Sequence, residues 1–170
     1  MKSSLALSVL ALATVAVLTP FSGSASAQTA PTGLQGHYVG GGLSVGVNTD
    51  DGFDDVEWGG LVQGRYQLQA VPVSLRGSVL FDGDAAAIQP MATYDIPTGD
   101  ASNLYLGGGG SFVVGGGDTP LGDRSSFVLT AGAEGEVSEN WVVFGDVRWG
   151  IGGFDDGQAV SVQTGAGYRF

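Results

Sequence analysis

The chain has 170 residues, 31 of them glycine, no cysteine, and a formal net charge of −11. The lack of cysteine excludes disulfides, thiolate metal sites and a lipid anchor on a processed N-terminal cysteine. With 6 basic against 17 acidic residues, the chain has no basic footprint for nucleic acid and points to cations or basic surfaces as partners.

At the N-terminus, Lys2 precedes an apolar run from Leu5 to Leu18, then Pro20 and Ala25-Ser26-Ala27 before Gln28. A charged start, a short apolar stretch and an A-x-A site are the parts of a secretory signal peptide. The apolar run falls short of the ~20 residues a membrane helix needs. We therefore expect cleavage after Ala27, a short periplasmic segment at 28–36 and one domain at 37–170. Cleavage removes Lys2 and leaves the mature chain more acidic still. Glycine lacks the triplet period of collagen and reads instead as strand bends and crowded interiors.

From His37 onward, apolar residues alternate with polar or small ones, broken by Gly, Asp and Pro clusters. The pattern predicts eight strands near 37–47, 57–68, 73–81, 86–96, 103–114, 126–137, 141–150 and 159–170. Most match the ~9–11 residues of a tilted membrane strand. An even number puts both termini on one side. Long acidic connections follow strands one, five and seven; shorter ones follow strands two, four and six, and Asp82-Gly83-Asp84 follows strand three. Short turns on one side and longer loops on the other suit a bacterial membrane barrel, with the turn after strand three as a departure.

Side chains of a strand alternate between faces. One face collects Val39, Leu43, Val45 and Val47; Trp58, Val62, Tyr66 and Leu68; Val73, Leu75, Val79 and Phe81. It continues with Ala86, Ile88, Pro90, Ala92, Tyr94 and Ile96; Leu104, Leu106, Phe112 and Val114; Phe127, Leu129, Ala131, Ala133 and Val137; and Trp141, Val143, Val147 and Trp149. None is charged. The strand charges Glu57, Arg65, Arg76, Asp95, Glu134, Glu136, Asp146, Arg148 and Arg169 all fall on the other face. A basic residue facing lipid at mid-depth costs ~2–4 kcal/mol, whereas a soluble barrel shows the reverse arrangement. The apolar face is therefore read as the lipid face.

Its aromatics form two girdles, Trp58, Phe81, Phe112, Phe127 and Trp149 at the outer end and Tyr66, Tyr94, Trp141, Tyr168 and Phe170 at the inner end. Pro90 removes a ladder donor from a closed sheet, and a bulge is expected there. The last segment, Ala159–Phe170, alternates strictly and ends on an aromatic residue.

The signal peptide, the eight amphipathic strands and the terminal Gly167-Tyr168-Arg169-Phe170 resemble the small OmpA/OmpX-type outer-membrane barrels, including the opacity-type porin family. The resemblance implies an all-β, eight-stranded, antiparallel, transmembrane up-and-down β-barrel in the bacterial outer membrane. It also implies outer-membrane lipid as solvent, the barrel assembly machinery as a partner that reads Tyr168 and Phe170, and a monomer.

Candidate chemistry is of two kinds. Inward charges form a candidate lumen network: Arg65 and Arg76 face Glu134 and Glu136 across the lumen, extended by Asp95, Asp146, Arg148 and Arg169. Internal stability is the plain role of such a network; the resemblance adds a salt-bridge gate. The inward glycines Gly40, Gly42, Gly107, Gly109, Gly165 and Gly167 leave room for a narrow water-filled path. Separately, the outer loops gather Asp50, Asp51, Phe53, Asp54 and Asp55 against Phe154, Asp155 and Asp156. This is an acidic rim, or a contact for divalent cations or a partner, although the spacing is not an EF-hand. The single histidine, His37, has no Ser or Asp companions for catalysis, and no phosphate loop or dinucleotide fingerprint is present. The expectation is a cofactor-free, non-enzymatic outer-membrane barrel with a structural or surface-interaction role. A narrow porin-like channel and a soluble periplasmic binding barrel are the alternatives.

Overall fold

The computed structural model describes residues 32–48, 56–83, 85–117, 119–152 and 159–170. The expected signal peptide with its cleavage site, and Asp50, Asp51, Phe53, Asp54, Asp55, Phe154, Asp155 and Asp156, lie outside them.

Eight strands follow one another: β1 Tyr38–Asn48, β2 Val56–Leu68, β3 Val73–Asp82, β4 Ala85–Gly99, β5 Ser102–Gly115, β6 Ser126–Ser138, β7 Trp141–Ile151 and β8 Ala159–Arg169. Each pairs antiparallel with its sequence neighbour, and β8 returns to β1 to close the barrel. Backbone groups in hydrocarbon have no water to bond, so closure is the one way a sheet can satisfy them all. Turns at 69–72, 100–101 and 139–140 lie at the end that holds the start of β1 and the end of β8, here the inner end. In the last of these turns Asn140 takes the left-handed conformation, φ 64°, which Asn tolerates better than most residues.

Outward and inward sides follow the period-two reading. Trp58 is 61 % exposed and Leu43 57 %, against 2 % for Arg65 and 0 % for Arg148. Both girdles face out; Trp141 meets its register partner Tyr168 edge-on at 5.9 Å. Phe81 folds over its register partner Gly60, where an added Cβ would stand 2.2 Å from the ring. The ring thereby covers a backbone that glycine leaves bare.

The bulge expected at Pro90 is absent. Ile88↔Phe112 and Met91↔Gly109 keep one register, so the chain runs straight past Pro90 and the ladder skips Gln89 and Pro90. Glycine at 109 lets the strands approach there, since a Cβ would lie 2.0 Å from the Pro90 carbonyl oxygen. The register shifts come instead near the inner rim, at Pro97/Gly99 and Glu136/Ser138.

Inside, the lumen is layered. An apolar collar of Leu61, Leu80, Ala87, Val128 and Ala159 surrounds its outer part. A polar layer around Arg148 lies beneath, then a charged layer around Arg65 and Arg76 with Phe144 stacked on Tyr38 beside it, then Val142 and Leu34 towards the inner end. A closed, internally bonded barrel should survive detergent until boiled. We expect the folded protein to migrate differently in detergent gels before and after heating; identical migration would contradict closure.

Candidate functional site: a charged lumen with a stopper at each end

Arg65 on β2 and Arg76 on β3 are register partners on the same inward face. Two guanidinium groups side by side in a dry interior repel each other unless carboxylates intervene. Two do. Arg65 Nη2 lies 2.6 Å from Asp95 Oδ2 and its Nε 3.2 Å from Glu134 Oε1. Arg76 Nη1 lies 2.9 Å from Glu134 Oε2, while its Nη2 stands 3.5 Å from Asp95 Oδ1 without hydrogen-bond geometry. The four groups form a ring of alternating sign with no net charge, and all are nearly fully buried.

Neutral side chains occupy the remaining valences. Tyr38 donates its hydroxyl to Glu134 at 3.0 Å and accepts from Arg76 and Gln63. Ser74 accepts from Arg65 Nε at 3.0 Å and donates to Asp95; Thr93 accepts from Arg76 Nε. The Arg76 guanidinium sits 3.7 Å above the Tyr105 ring, a cation–π contact strengthened by desolvation. Tyr105 then donates to Asp146 Oδ2 at 2.9 Å, which links this layer to the next. There Asp146 holds Arg148 Nε at 2.8 Å, and Arg148 donates to Ser78, Gln89 and Gln63. A continuous polar network thus fills the middle of the lumen.

Glu136 and Arg169 do not belong to it. They pair with each other at 2.8 Å at the partly exposed inner rim, where Glu136 also accepts the Asn140 amide. Glu136 stands one inward position nearer the rim than Glu134, beside the register shift, and its carboxylate reaches the mouth instead of Arg65 or Arg76. Period-two parity cannot resolve depth of this kind. The uncharged members Tyr38, Gln63, Ser74, Ser78, Gln89, Thr93, Asn103 and Tyr105 were missed. Their inward parity is the signal the sequence carries for them, since charge alone does not mark them.

The narrow water-filled path expected at the inward glycines is filled. Near Gly165 and Gly167 the space a Cβ would take lies 2.6 Å from the Phe144 ring and 2.9 Å from the Tyr38 ring. At Gly40, Gly42, Gly107 and Gly109 it is taken by the backbone of the neighbouring strand. These glycines allow close strand approach and do not leave a channel.

The two ends of the lumen are stopped by the chain itself. At the inner end Leu34 is fully buried. Its backbone is clamped by Asn103, which accepts the Leu34 amide at 3.1 Å and donates to its carbonyl at 3.2 Å; Arg65 Nη1 donates to the same carbonyl. The segment before β1 is therefore a cap on the lumen. At the outer end, the connection after β5, expected as an acidic loop, turns back into the mouth. Thr119, Pro120, Leu121 and Gly122 are all buried. Pro120 rests where side chains at Gly46 and Gly59 would stand, and Leu121 packs against Gly150 and within the apolar collar. Leu121 completes the apolar cluster of the collar.

His37 is a structural residue here. Its ring stacks on Tyr66 at 4.3 Å, and its Nδ1 accepts the Gln67 amide. Among the described residues no group of His, Asp or Glu is arranged to hold a metal.

Solved structures with a similar fold include three small barrels. Neisserial surface protein A superposes with a TM-score of 0.58 at 15 % identity, over 80 % of this chain and 98 % of that one. The attachment invasion locus protein Ail of Yersinia pestis gives 0.53 at 19 %, over 81 % and 100 %. The N-terminal β-barrel domain of Pseudomonas aeruginosa OprF gives 0.53 at 16 %, over 80 % and 98 %. The chain has the fold of the small eight-stranded outer-membrane β-barrels. No protein-family model matches it, and no curated protein matches its sequence. At these identities the likeness concerns the fold alone.

Removing one member of a buried ion pair strands the other, at ~3–5 kcal/mol. Glu134→Gln, which leaves both Arg65 and Arg76 short of charge, should lower the thermal midpoint clearly, while Glu139→Gln in the exposed turn should not, exposed charges being worth ~0–1 kcal/mol. The exchange Arg65→Glu with Glu134→Arg should recover part of the loss in a double-mutant cycle. Strictly additive losses would mean that the pair does not couple.

Proposed function

We propose that the protein is a non-enzymatic bacterial outer-membrane barrel with a structural or surface-interaction role, its termini in the periplasm and its longer loops outside. The carrying observation is the inverted polarity: a continuous apolar, aromatic-bordered exterior around a charged interior. In water that exterior would be far beyond the apolar patch a monomer tolerates, which weighs against the soluble binding barrel. The packed lumen and its two stoppers favour this reading over a porin-like channel. One fold neighbour is named an attachment invasion locus protein and another a surface protein, and both names accord with a surface role.

On this reading, Asp50, Asp51, Phe53, Asp54, Asp55, Phe154, Asp155 and Asp156 form the outer contact surface for a partner or for divalent cations. Tyr168 and Phe170 serve the assembly machinery, and the protein acts as a monomer. The deciding experiment is fractionation of the envelope followed by planar-bilayer recording. The protein should be found with the outer membrane and should give no sustained conductance. Steady, defined current steps would replace the surface role with the channel role. Deleting Phe170 should lower the amount in the outer membrane more than deleting residues 153–156, since only the former damages the terminal strand. Equal amounts would remove the assembly role from Phe170.

A further inference from the structure

We propose that the turn Thr119–Gly122 is a retractable plug, a hinged stopper that gates access from the outside to the polar layer around Arg148. The inference deepens the closed-lumen reading above and rests on it.

The two stoppers are held by different forces. The inner cap is tied by hydrogen bonds with fixed geometry: Asn103 and Arg65 grip the Leu34 backbone, Gly33 donates to the Gly99 carbonyl at 2.9 Å, and Gly36 donates to Gln67 at 2.8 Å. The hydrogen bonds described for the outer turn all close within it. Thr119 and Gly122 exchange backbone bonds of 3.1 and 2.8 Å, Thr119 Oγ1 donates to the Gly122 carbonyl at 2.6 Å, and the Leu121 amide donates to Thr119 Oγ1. These bonds are internal to the turn and would be kept if it moved as a unit. What seats it in the mouth is apolar contact of Pro120 and Leu121 with the collar, a force without direction that a short displacement abolishes.

The flanks permit that displacement. Gly115, Gly116 and Gly117 precede the turn, and Gly115 (φ 111°) and Gly122 (φ 107°) already use backbone conformations open mainly to glycine. Beneath the plug, Ser44 Oγ, Thr130 Oγ1 and Gln163 Oε1 are buried without hydrogen-bond partners. Buried polar groups rarely stay unpaired, and these point into the lumen beside Arg148, whose strand partners include Thr130 and Ser161. They are the groups that water would solvate once the plug withdraws. Arg148, held by Asp146, Ser78, Gln89 and Gln63, bars the way further in. The plug therefore opens a blind outer vestibule and not a through-pore.

The cysteine-free chain allows a direct test. Ser44 is fully buried, one inward position below Gly46, which touches Pro120. In Ser44→Cys, a small charged thiol reagent added from outside should react slowly, whereas Ser125→Cys, at an exposed position of the same connection, should react at once. Adding Leu121→Ala should speed the Ser44→Cys reaction by about tenfold or more, because losing a buried leucine side chain biases an equilibrium by more than that factor. Heat-modifiable migration checks that the barrel remains folded. A second arm uses the unmodified protein in lipid nanodiscs: the Leu121 and Gly122 amides should exchange hydrogen faster than the clamped Leu34 amide. Labelling of Ser44→Cys as fast as Ser125→Cys with the plug intact would overturn the proposal. So would labelling that stays slow after Leu121→Ala, or plug amides that exchange no faster than Leu34. A steady ionic current with the plug seated is a different result, since current must also pass Arg148; it would refute the closed lumen itself.

Discussion

A hydrocarbon surrounding offers no partner to a backbone amide or carbonyl, and each one left bare costs several kcal/mol. Nearly everything in this barrel answers to that constraint. It requires β8 to return to β1, which turns an eight-stranded sheet into a tube. It bears on Pro90, which lacks an amide donor and sits where the β4–β5 ladder skips a step and Gly109 lets the strands approach. It also reverses the usual sorting of side chains, because the outside is now the oily phase and the inside is the only place for charge.

Once charge is confined to a narrow tube, neutrality has to be met group by group. Arg65 and Arg76 stand side by side and would repel one another, but Asp95 and Glu134 complete a ring with them, and Asp146 neutralises Arg148. The ring is not the most stabilising filling imaginable, since apolar residues of equal volume often do as well or better than a buried ion pair. What it does provide is geometry. Each guanidinium is tied to several strands, so the stagger between distant strands is locked through the lumen as well as through the ladder.

The ends of the tube pose a separate problem, and the chain meets it twice in different ways. The inner end is capped by directional hydrogen bonds to the Leu34 backbone. The outer end is filled by an apolar turn set in an apolar collar. Directional bonds hold one position and resist small shifts. Apolar contact tolerates departure and return, which makes the outer stopper the one of the two that can withdraw.

The strands, their number and the side each residue faces were legible in the sequence, because a period of two is local and the lipid imposes it on every strand alike. Trp58, Leu43 and Tyr66 could be placed outward, and Arg65, Glu134 and Arg148 inward, from alternation alone. Depth and partnership were not legible. Glu134 and Glu136 have the same parity, yet one joins the ring and the other pairs with Arg169 at the rim, and only the register across β5, β6 and β7 separates them. The two stoppers were hidden for a related reason. Leu34 and Leu121 lie outside any alternating run, and nothing nearby in sequence reveals that Asn103 and Gly150 wait for them across the barrel. Alternation is a property of neighbours along the chain; a lumen is made by residues that become neighbours only when the last strand meets the first.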